Sequence, residues 1–400
     1  MKAEWRKVKL GDVVDMQYGY TTTSSSENIG PKYLRITDIS STYIDWSSVP
    51  HCKIEEKKRQ QYALKKGDIV VARIGASAGC AKLIRHNVDS IFASYLIRII
   101  PKNKDVNRTF FGLLIESIIF KKFVNSTKSG AAQPQANAPL LKSFEFNLPN
   151  NSTQKRLAHV ISSYDDLIEN NEKRIKTLEE MAQRLYTQWF VKFKFPGHEK
   201  IKMMDSGTTF GMIPEEWEVK PLSSFAKIIM GQSPQSKFYN QRNEGLPFHQ
   251  GVRDFGSIFP TNKIYSTSGN RLAEANDLLF SVRAPVGRLN IATEKIILGR
   301  GLASIKEKKN RQTFLISMFL NRFTEKDMLG NGAIYKSINK NELEKLGFIY
   351  LDSNVTDAFE NIATPYLNEI RILSKNIRVL SDIRDLMIEN LITGIRRLNN

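Results

Sequence analysis

Five histidines, two cysteines and two glycine-rich segments are the parts of this chain that could take part in catalysis or cofactor binding. The glycine-rich segments at 74–80 and 328–334 lack the GxxxxGK[ST] and GxGxxG patterns that cradle phosphate groups. The histidines are scattered, and neither Cys52 nor Cys80 has a cysteine or histidine at metal-ligand spacing. The sequence therefore predicts no catalytic residue, no metal site and no cofactor bound by this chain.

Polar residues that pair with the edges of nucleic acid bases are concentrated in three loops of each half of the chain. Arg matches guanine, and Asn or Gln matches adenine, through paired hydrogen bonds from loops of a rigid domain. In the first half the candidate DNA-binding residues are Tyr18, Tyr20, Thr21, Thr22, Arg35, Arg73, Ser77, Gln133, Gln135 and Asn137. In the second half they are Gln232, Ser233, Gln235, Gln250, Arg253, Arg283, Arg288, Tyr335, Lys336 and Asn339. Any one of them can equally be a phosphate contact or a solvated loop residue.

The loops occur twice because the two halves of the sequence are versions of each other. The segment WRKVKLGDVVDMQYG at 5–19 recurs 212 residues later as WEVKPLSSFAKIIMG at 217–231, with its Trp, Leu and Gly at the same spacing. A buried β-run followed by a basic, glycine-bearing loop occurs at 67–79 and again at 276–287. From residue 130 onward the offset between the halves is 202 residues. This internal repeat predicts two domains of one fold.

Each domain leads into a long helix whose apolar residues alternate at spacings of three and four, the pattern of a heptad seam. A helix of about 40 residues extends roughly 60 Å. The first helix therefore leads the chain from domain 1 to domain 2, and the second must lead it back toward domain 1. The predicted fold class is α/β (α+β), with two similar globular domains separated by two long helices that form an antiparallel coiled coil with pseudo-twofold symmetry. The predicted boundaries are 1–151 for domain 1, 152–195 for the first spacer helix, 201–351 for domain 2 and 352–398 for the second spacer helix.

The charge of the chain favours a polyanionic partner. Its 59 Lys and Arg against 41 Asp and Glu give a net charge of +18. Residues 1–151 carry a net +10 and residues 201–351 a net +7, so the globular domains hold nearly all of the excess. Nucleic acid is the leading candidate partner. No run reaches the roughly 18 apolar residues of a membrane span, and we expect a cytoplasmic protein that does not bind a membrane.

The chain resembles the DNA-specificity (S) subunits of type I restriction-modification enzymes over its whole length. The resemblance is carried by the duplicated WxxxxL…G opening, the GDIVVARIGASAG and NDLLFSVRAPVG blocks, and the SGAAQPQAN and GNGAIYKSIN loops. It implies two target-recognition domains, each contacting one half of a bipartite site on double-stranded DNA, and a spacer that binds two modification (methyltransferase) subunits. Restriction subunits would join through the complex. S-adenosylmethionine, ATP and Mg would be bound by the partners, and this chain would be non-catalytic.

Two other functions are compatible with the same residues. The first is a DNA methyltransferase or nuclease whose active site has an unrecognised form. The second is a basic coiled-coil scaffold whose domains bind RNA or an acidic protein.

Overall fold

The computed structural model describes residues 5–41, 43–102, 105–126, 136–323, 337–351 and 353–392. The chain divides into two compact units, Met1–Lys173 with Ser374–Asn400, and Arg174–Leu373. The division falls inside both long helices. Each unit therefore holds one globular domain and a segment of each long helix.

Domain 1 is built on short apolar runs that form two four-stranded sheets. In the strand Ile69–Ala72 all four residues are buried, as expected for the centre of a sheet covered on both faces. One sheet is antiparallel, with the order Val14–Tyr18, Leu96–Pro101, Ile69–Ala72 and Ala81–Leu83. The other has the order Ser24–Ser25, His51–Cys52, Lys32–Leu34 and Ser90–Phe92, and its last pair is parallel. A separate antiparallel pair joins Trp5–Lys9 to Glu145–Pro149. The helices are Leu10–Val13, Glu56–Tyr62, Arg108–Glu116, Ile118–Ser126 and Ala138–Lys142, with a 3-10 turn at Thr37–Ile39.

Domain 2 repeats this arrangement. Its antiparallel sheet has the order Ala226–Met230, Leu302–Glu307, Leu278–Ser281 and Leu289–Ile291. Its second sheet has the order Tyr239–Asn240, Tyr265–Ser266, Leu246–His249, Ile296–Leu298 and Leu272–Ala273. Two antiparallel pairs join Glu218–Pro221 to Gly347–Tyr350, and Met203–Asp205 to Met212–Pro214. The helices are Leu222–Phe225, Gln312–Arg322 and Lys340–Glu344, with 3-10 turns at His198–Lys200, Ser236–Phe238 and Val252–Asp254.

Matching backbone hydrogen bonds show that the two domains share one scaffold. The Leu10 amide donates to the Phe144 carbonyl at 2.8 Å, and the Leu222 amide donates to the Leu346 carbonyl at 2.9 Å. These pairs reproduce the offsets of 212 and 202 residues found in the sequence. The second sheets also correspond, because each contains a parallel pair, Lys32–Leu34 with Ser90–Phe92 in domain 1 and Phe248 and His249 with Ile297 and Leu298 in domain 2. The predicted internal repeat of one α/β fold is confirmed.

The two long helices are Asn151–Tyr186 and Asn354–Met387, and each ends in a π-helical turn, Thr187–Val191 or Ile388–Ile392. Within the second unit they run antiparallel, since Arg174 contacts Glu369 at 2.7 Å while the rings of Tyr186 and Phe359 lie 6.1 Å apart. Within the first unit, Asp165 accepts a hydrogen bond from Arg384 at 3.1 Å. The paired long helices predicted from the heptad pattern are thus present.

The long helices also pack on the cores of the globular domains. Ile161 belongs to the core of domain 1 together with Ile388 and Ile392. Tyr186 and Phe190 belong to the core of domain 2, although neither lies on the predicted heptad seam. None of the described helices combines the length and apolar character needed to cross a membrane.

Candidate nucleic-acid interface

Three predicted loops of domain 1 converge at the end of the strand Val14–Tyr18. The Tyr18 ring lies under the Arg73 guanidinium, 5.2 Å from ring centroid to Cζ, and its hydroxyl accepts a hydrogen bond from the Ala138 amide at 3.2 Å. The Arg73 carbonyl accepts a hydrogen bond from the Ala136 amide at 2.7 Å. Tyr18 remains 42% exposed, so this junction is accessible to a ligand. An aromatic ring beside a guanidinium suits a polyanion with stacked bases.

Domain 2 forms the same junction with different side chains. The Val282 carbonyl accepts a hydrogen bond from the Ile338 amide at 3.0 Å, the counterpart of the bond between Arg73 and Ala136. Arg283 follows directly, forms an isolated bridge with Ser337 and is exposed. The backbone therefore joins the second and third loops in the same way in both domains, while the side chains of these loops differ between the domains.

A glycine lets the first loop approach the sheet in each domain. A Cβ on Gly19 would lie 2.1 Å from the Ala93 carbonyl oxygen, and a Cβ on Gly231 would lie 2.2 Å from the Gly299 carbonyl oxygen. Only glycine fits at these positions, because the obstructing atoms belong to backbone. The glycines thereby fix where Tyr20 and Gln232, the residues that follow them, leave the sheet.

Asn137 and Asn339 have a structural role that the sequence did not reveal. The Asn137 side chain accepts a hydrogen bond from the Leu140 amide and caps the helix Ala138–Lys142. The Asn339 side chain accepts from the Glu342 amide and forms a capping box for Lys340–Glu344. Both asparagines are exposed. The cap occupies the side-chain oxygen, and the amide nitrogen is the group that can donate to a base or a phosphate.

Arg35 and Gln250 occupy the same place in the two domains, directly after the paired parallel strands. Arg35 is held by Asp38 in a bidentate ion pair, with nitrogen to oxygen distances of 3.0 and 2.9 Å. The hydrogen bond to Asp38 raises the pKa of Arg35. At the position of Asp38, domain 2 has Arg253, which is exposed as Gln250 is. The two domains thus offer different groups to DNA from one loop geometry.

The remaining predicted DNA-binding residues lie in or beside these loops. Thr21, Gln235 and Arg253 are exposed, whereas Tyr20, Thr22, Ser77, Ser233 and Arg288 are half-buried. The Ser233 hydroxyl accepts a hydrogen bond from the Arg300 amide at 3.2 Å, and the Arg288 amide donates to the Ser281 hydroxyl at 2.8 Å. Gln133, Gln135, Tyr335 and Lys336 lie outside the described residues. Contact of the predicted residues with DNA stays a prediction.

Two exposed residues at this edge were not predicted from the sequence. Arg300 stands between two glycines in the turn that follows the strand Ile296–Leu298, and its amide contacts Ser233. At the corresponding turn of domain 1, Tyr95 is 55% exposed and its carbonyl accepts a hydrogen bond from the Arg73 amide. The Gly-Arg-Gly tripeptide was the available signal, because glycines on both sides of a cation mark a turn rather than a continuous strand.

Burial disfavours the charged forms of His249 and Cys52. Burial lowers the pKa of His249, whose Nε2 lies 2.9 Å from the Asn262 side-chain oxygen. Burial raises the pKa of Cys52 to about 11, which disfavours the reactive thiolate. Among the residues that the structure describes, no group of three or more His, Cys, Asp or Glu side chains could hold a metal ion.

Comparison with known proteins gives consistent matches along the chain. Residues 2–180 and 214–350 match the family described as type I restriction modification DNA specificity domain. The chain is 31% identical over 404 residues to the putative type I restriction enzyme MjaX specificity subunit of Methanocaldococcus jannaschii, covering 95% of this chain and 87% of that protein. It is 22% identical over 470 residues to the type I restriction enzyme HindI specificity subunit of Haemophilus influenzae, covering 98% and 99% of the two chains. The crystal structure of the S subunit of a type I restriction-modification system from M. genitalium has the same fold, with a TM-score of 0.61 at 12% identity, covering 100% of this chain and 98% of that one.

Proposed function

The chain belongs to the family of type I restriction-modification DNA specificity proteins, and on this premise we propose how its two target-recognition domains contact DNA. Each domain places its three-loop edge on one half of a bipartite site in double-stranded DNA. In domain 1 the edge is formed by Tyr18, Arg73 and Asn137, and in domain 2 by Gln232, Arg283 and Asn339. Direct contacts to bases are made from these side chains, and neighbouring cations contact phosphates.

The convergence of three separate loops in each domain carries this proposal. The hydrogen bond from Ala136 to Arg73 and that from Ile338 to Val282 join the second and third loops in equivalent ways. Phosphate contacts position a domain on DNA, and base contacts distinguish sequences. Two domains with the same scaffold but different loop side chains can therefore recognise two different half-sites.

The catalytic steps belong, in this proposal, to partner subunits. The chain itself is non-catalytic, and two modification subunits bind the outward faces of the long helices. They carry S-adenosylmethionine, and restriction subunits join the complex with ATP and Mg. The complex acts in the cytoplasm. The exposed residues Leu167, Met181 and Ile372 support a protein-contacting role for the helices, since each is an apolar side chain that faces solvent in this chain.

Methyl transfer to DNA tests the division of labour. The purified chain with S-adenosylmethionine should transfer no methyl group, and adding its modification subunits should produce methylation at one bipartite sequence. Transfer by the chain alone would contradict the proposal and favour a methyltransferase. Tighter binding to RNA than to duplex DNA would instead favour the scaffold alternative.

A further inference from the structure

A cavity of about 540 Å³ opens beside the antiparallel sheet of domain 2. Four exposed basic side chains, which we call the basic rim, line it: Lys227, Arg271, Lys306 and Lys340. Lys227 and Lys306 are direct partners across two neighbouring strands, so their side chains project from the same face of the sheet. Like charges directly opposite each other are unfavourable in an isolated sheet. Their pairing here therefore suits a site that meets an anion.

The charge of the basic rim is not neutralised within the described part of the chain. No described carboxylate lies within ion-pair distance of Lys227, Arg271 or Lys306, and Lys340 lies 3.4 Å from Glu344. The rim therefore keeps a positive charge available to a ligand.

Two acidic residues also line the cavity, and both have partners of their own. Glu274 lies 3.1 Å from Lys295. Asp277 is only 3% exposed, and its Oδ2 accepts hydrogen bonds from the Ser304 hydroxyl and the Glu274 amide. Its Oδ1 is buried without a hydrogen-bond partner among the described residues, so Asp277 does not screen the exposed side chains of the rim by direct contact.

At the positions of the three rim lysines, the described part of domain 1 has no basic residue. The strand register places Asp15 and Ile100 where domain 2 has Lys227 and Lys306. Lys340 is the first helical residue after its cap, and the residue at that position in domain 1 is Ala138. The rim is therefore a property of domain 2 and not of the shared fold.

The basic rim is continuous with the candidate interface of domain 2. The strand Ala226–Met230 contributes Lys227 and leads directly into the loop that carries Gln232 and Ser233. Lys340 directly follows Asn339. A duplex bound at the loops would thus have its backbone within reach of the rim.

We propose that the basic rim binds the sugar-phosphate backbone of the DNA duplex and anchors domain 2 more strongly than domain 1. The inference rests on the proposed DNA binding. A lysine attracts phosphate as a flexible point charge and does not contact the bases. These contacts therefore add affinity without distinguishing one DNA sequence from another. They release condensed counterions, so they also make the affinity of domain 2 more sensitive to salt.

The test compares two triple variants of the full chain that lose the same charge. Lys227→Gln, Lys306→Gln and Lys340→Gln remove the three lysines of the rim and keep Arg271. Lys192→Gln, Lys200→Gln and Lys202→Gln remove three exposed lysines of the same unit that lie outside the rim. The anisotropy of a fluorescein-labelled duplex of arbitrary sequence gives the association constant across a salt series. The slope of log Kobs against log salt is negative, and each lost phosphate contact reduces its magnitude by about one. The magnitude should therefore fall by about three in the rim variant and stay unchanged in the matched control.

Each outcome decides the inference. If the slope is unchanged in the rim variant, or changes equally in the rim variant and the control, the rim does not bind the DNA backbone. The proposed DNA binding by the loops would still stand. Failure of the unaltered chain to bind duplex overturns the proposed function together with the rim. A second titration uses ATP in place of DNA. Rim-dependent binding of ATP without any rim effect on the duplex would identify a nucleotide site and overturn the assignment to DNA.

Discussion

The two domains bury different groups at equivalent positions of one sheet. In domain 1, Arg98 lies 2.7 Å from Asp68, and the two residues are 8% and 1% exposed. In domain 2 the strand register puts Ser304 in the place of Arg98, and its hydroxyl donates to Asp277 at 2.7 Å. The same strand positions thus carry a buried ion pair in domain 1 and a hydroxyl-to-carboxyl hydrogen bond in domain 2. Because serine is much smaller than arginine, the exchange also leaves room for the cavity that the basic rim surrounds.

A second exchange of the same kind occurs where each domain meets the long helices. In the first unit Arg85 contacts Asp165 at 2.8 Å and Glu116 at 4.0 Å, and Arg384 contacts Asp165 at 3.1 Å. In the second unit, the positions that correspond to Asp165 and Arg384 at the offset of 202 residues are occupied by Leu367 and Ala182. Those residues line an apolar cavity of about 360 Å³.

The comparison shows which features hold the fold and which are free to change. Both domains share the strand order of the antiparallel sheet, a close-packed glycine and a capping asparagine. The glycines are Gly19 and Gly231, and the asparagines are Asn137 and Asn339. Buried charges, in contrast, are exchanged for apolar or hydroxyl groups without altering the strand order. The scaffold therefore depends on backbone geometry, and the side chains on it can diverge toward different ligands.

The largest expected effect comes from breaking the buried ion pair of domain 1. Arg98→Met removes the closer of two cations from the buried Asp68, which keeps only the exposed Arg108 at 3.8 Å. It should cost about 3 kcal/mol, whereas Ser304→Ala in domain 2 should cost about 1 kcal/mol. Hydrogen exchange at the amides of Ile69–Ala72 and Leu278–Ser281 reports the stability of each sheet separately. Adding Asp68→Asn to Arg98→Met should restore part of the loss, because the uncompensated charge is gone. Equal losses in the two domains would show that the pair and the hydrogen bond are energetically equivalent.

A smaller effect separates the two roles of the capping asparagines. Asn137→Ala and Asn339→Ala should each destabilise their domain by about 1 kcal/mol, because a helix amide loses its acceptor. Asn137→Asp and Asn339→Asp keep that acceptor and replace the amide donor by a negatively charged oxygen, which repels phosphate. The Asp variants should therefore retain wild-type unfolding curves and bind duplex DNA more weakly. DNA affinity equal to wild type in both Asp variants would mean that these residues act only as caps.

The smallest effect is the pH dependence that Glu116 contributes to the stability of the first unit. Burial raises the pKa of Glu116 from the ordinary value of 4.5, in spite of the nearby Lys82 and Arg85. The native state therefore favours the protonated carboxyl, and this contribution to stability is present at low pH and lost as the pH rises through the raised pKa. The residue of domain 2 that lies at the same distance from its helix cap as Glu116 is Leu320, which does not titrate.

Glu116→Gln tests this assignment. It should reduce the decline in the stability of the first unit above pH 4.5 and leave the second unit unchanged. Urea unfolding at a series of pH values, followed by hydrogen exchange in each sheet, measures the difference. A decline of the same size in Glu116→Gln would place its origin in another group.

The repeated scaffold could be predicted from the sequence because its determinants are local or regularly spaced. The tryptophan and glycine spacings identified the duplication, and the apolar period identified both long helices. The ends of those helices were less certain, since the first changes to a π-helical turn at Thr187, where Trp189 and Phe190 pack into the core of domain 2. That change depends on tertiary packing, which the apolar period does not encode.

The chemical state of the candidate site was less predictable, because it depends on contacts between distant segments. The proximity of Arg300 to Ser233 joins residues that are far apart in the chain. The bidentate pair of Arg35 with Asp38 is local, but the sequence shows only that the two residues are three apart and not that their side chains meet. Loop composition therefore gave a candidate interface, and the folded chain shows which of its groups already have partners within the chain.

Methylation mapping of a domain exchange tests the central claim, that the two domains act on their half-sites separately. Residues 1–151 are replaced by the corresponding domain of a relative, and the chain is expressed with its modification subunits. Sequencing that detects methylated bases then gives the recognised motif. The account predicts that one half of the bipartite motif changes while the other half and the gap stay the same. A motif altered in both halves, or in neither, would contradict it.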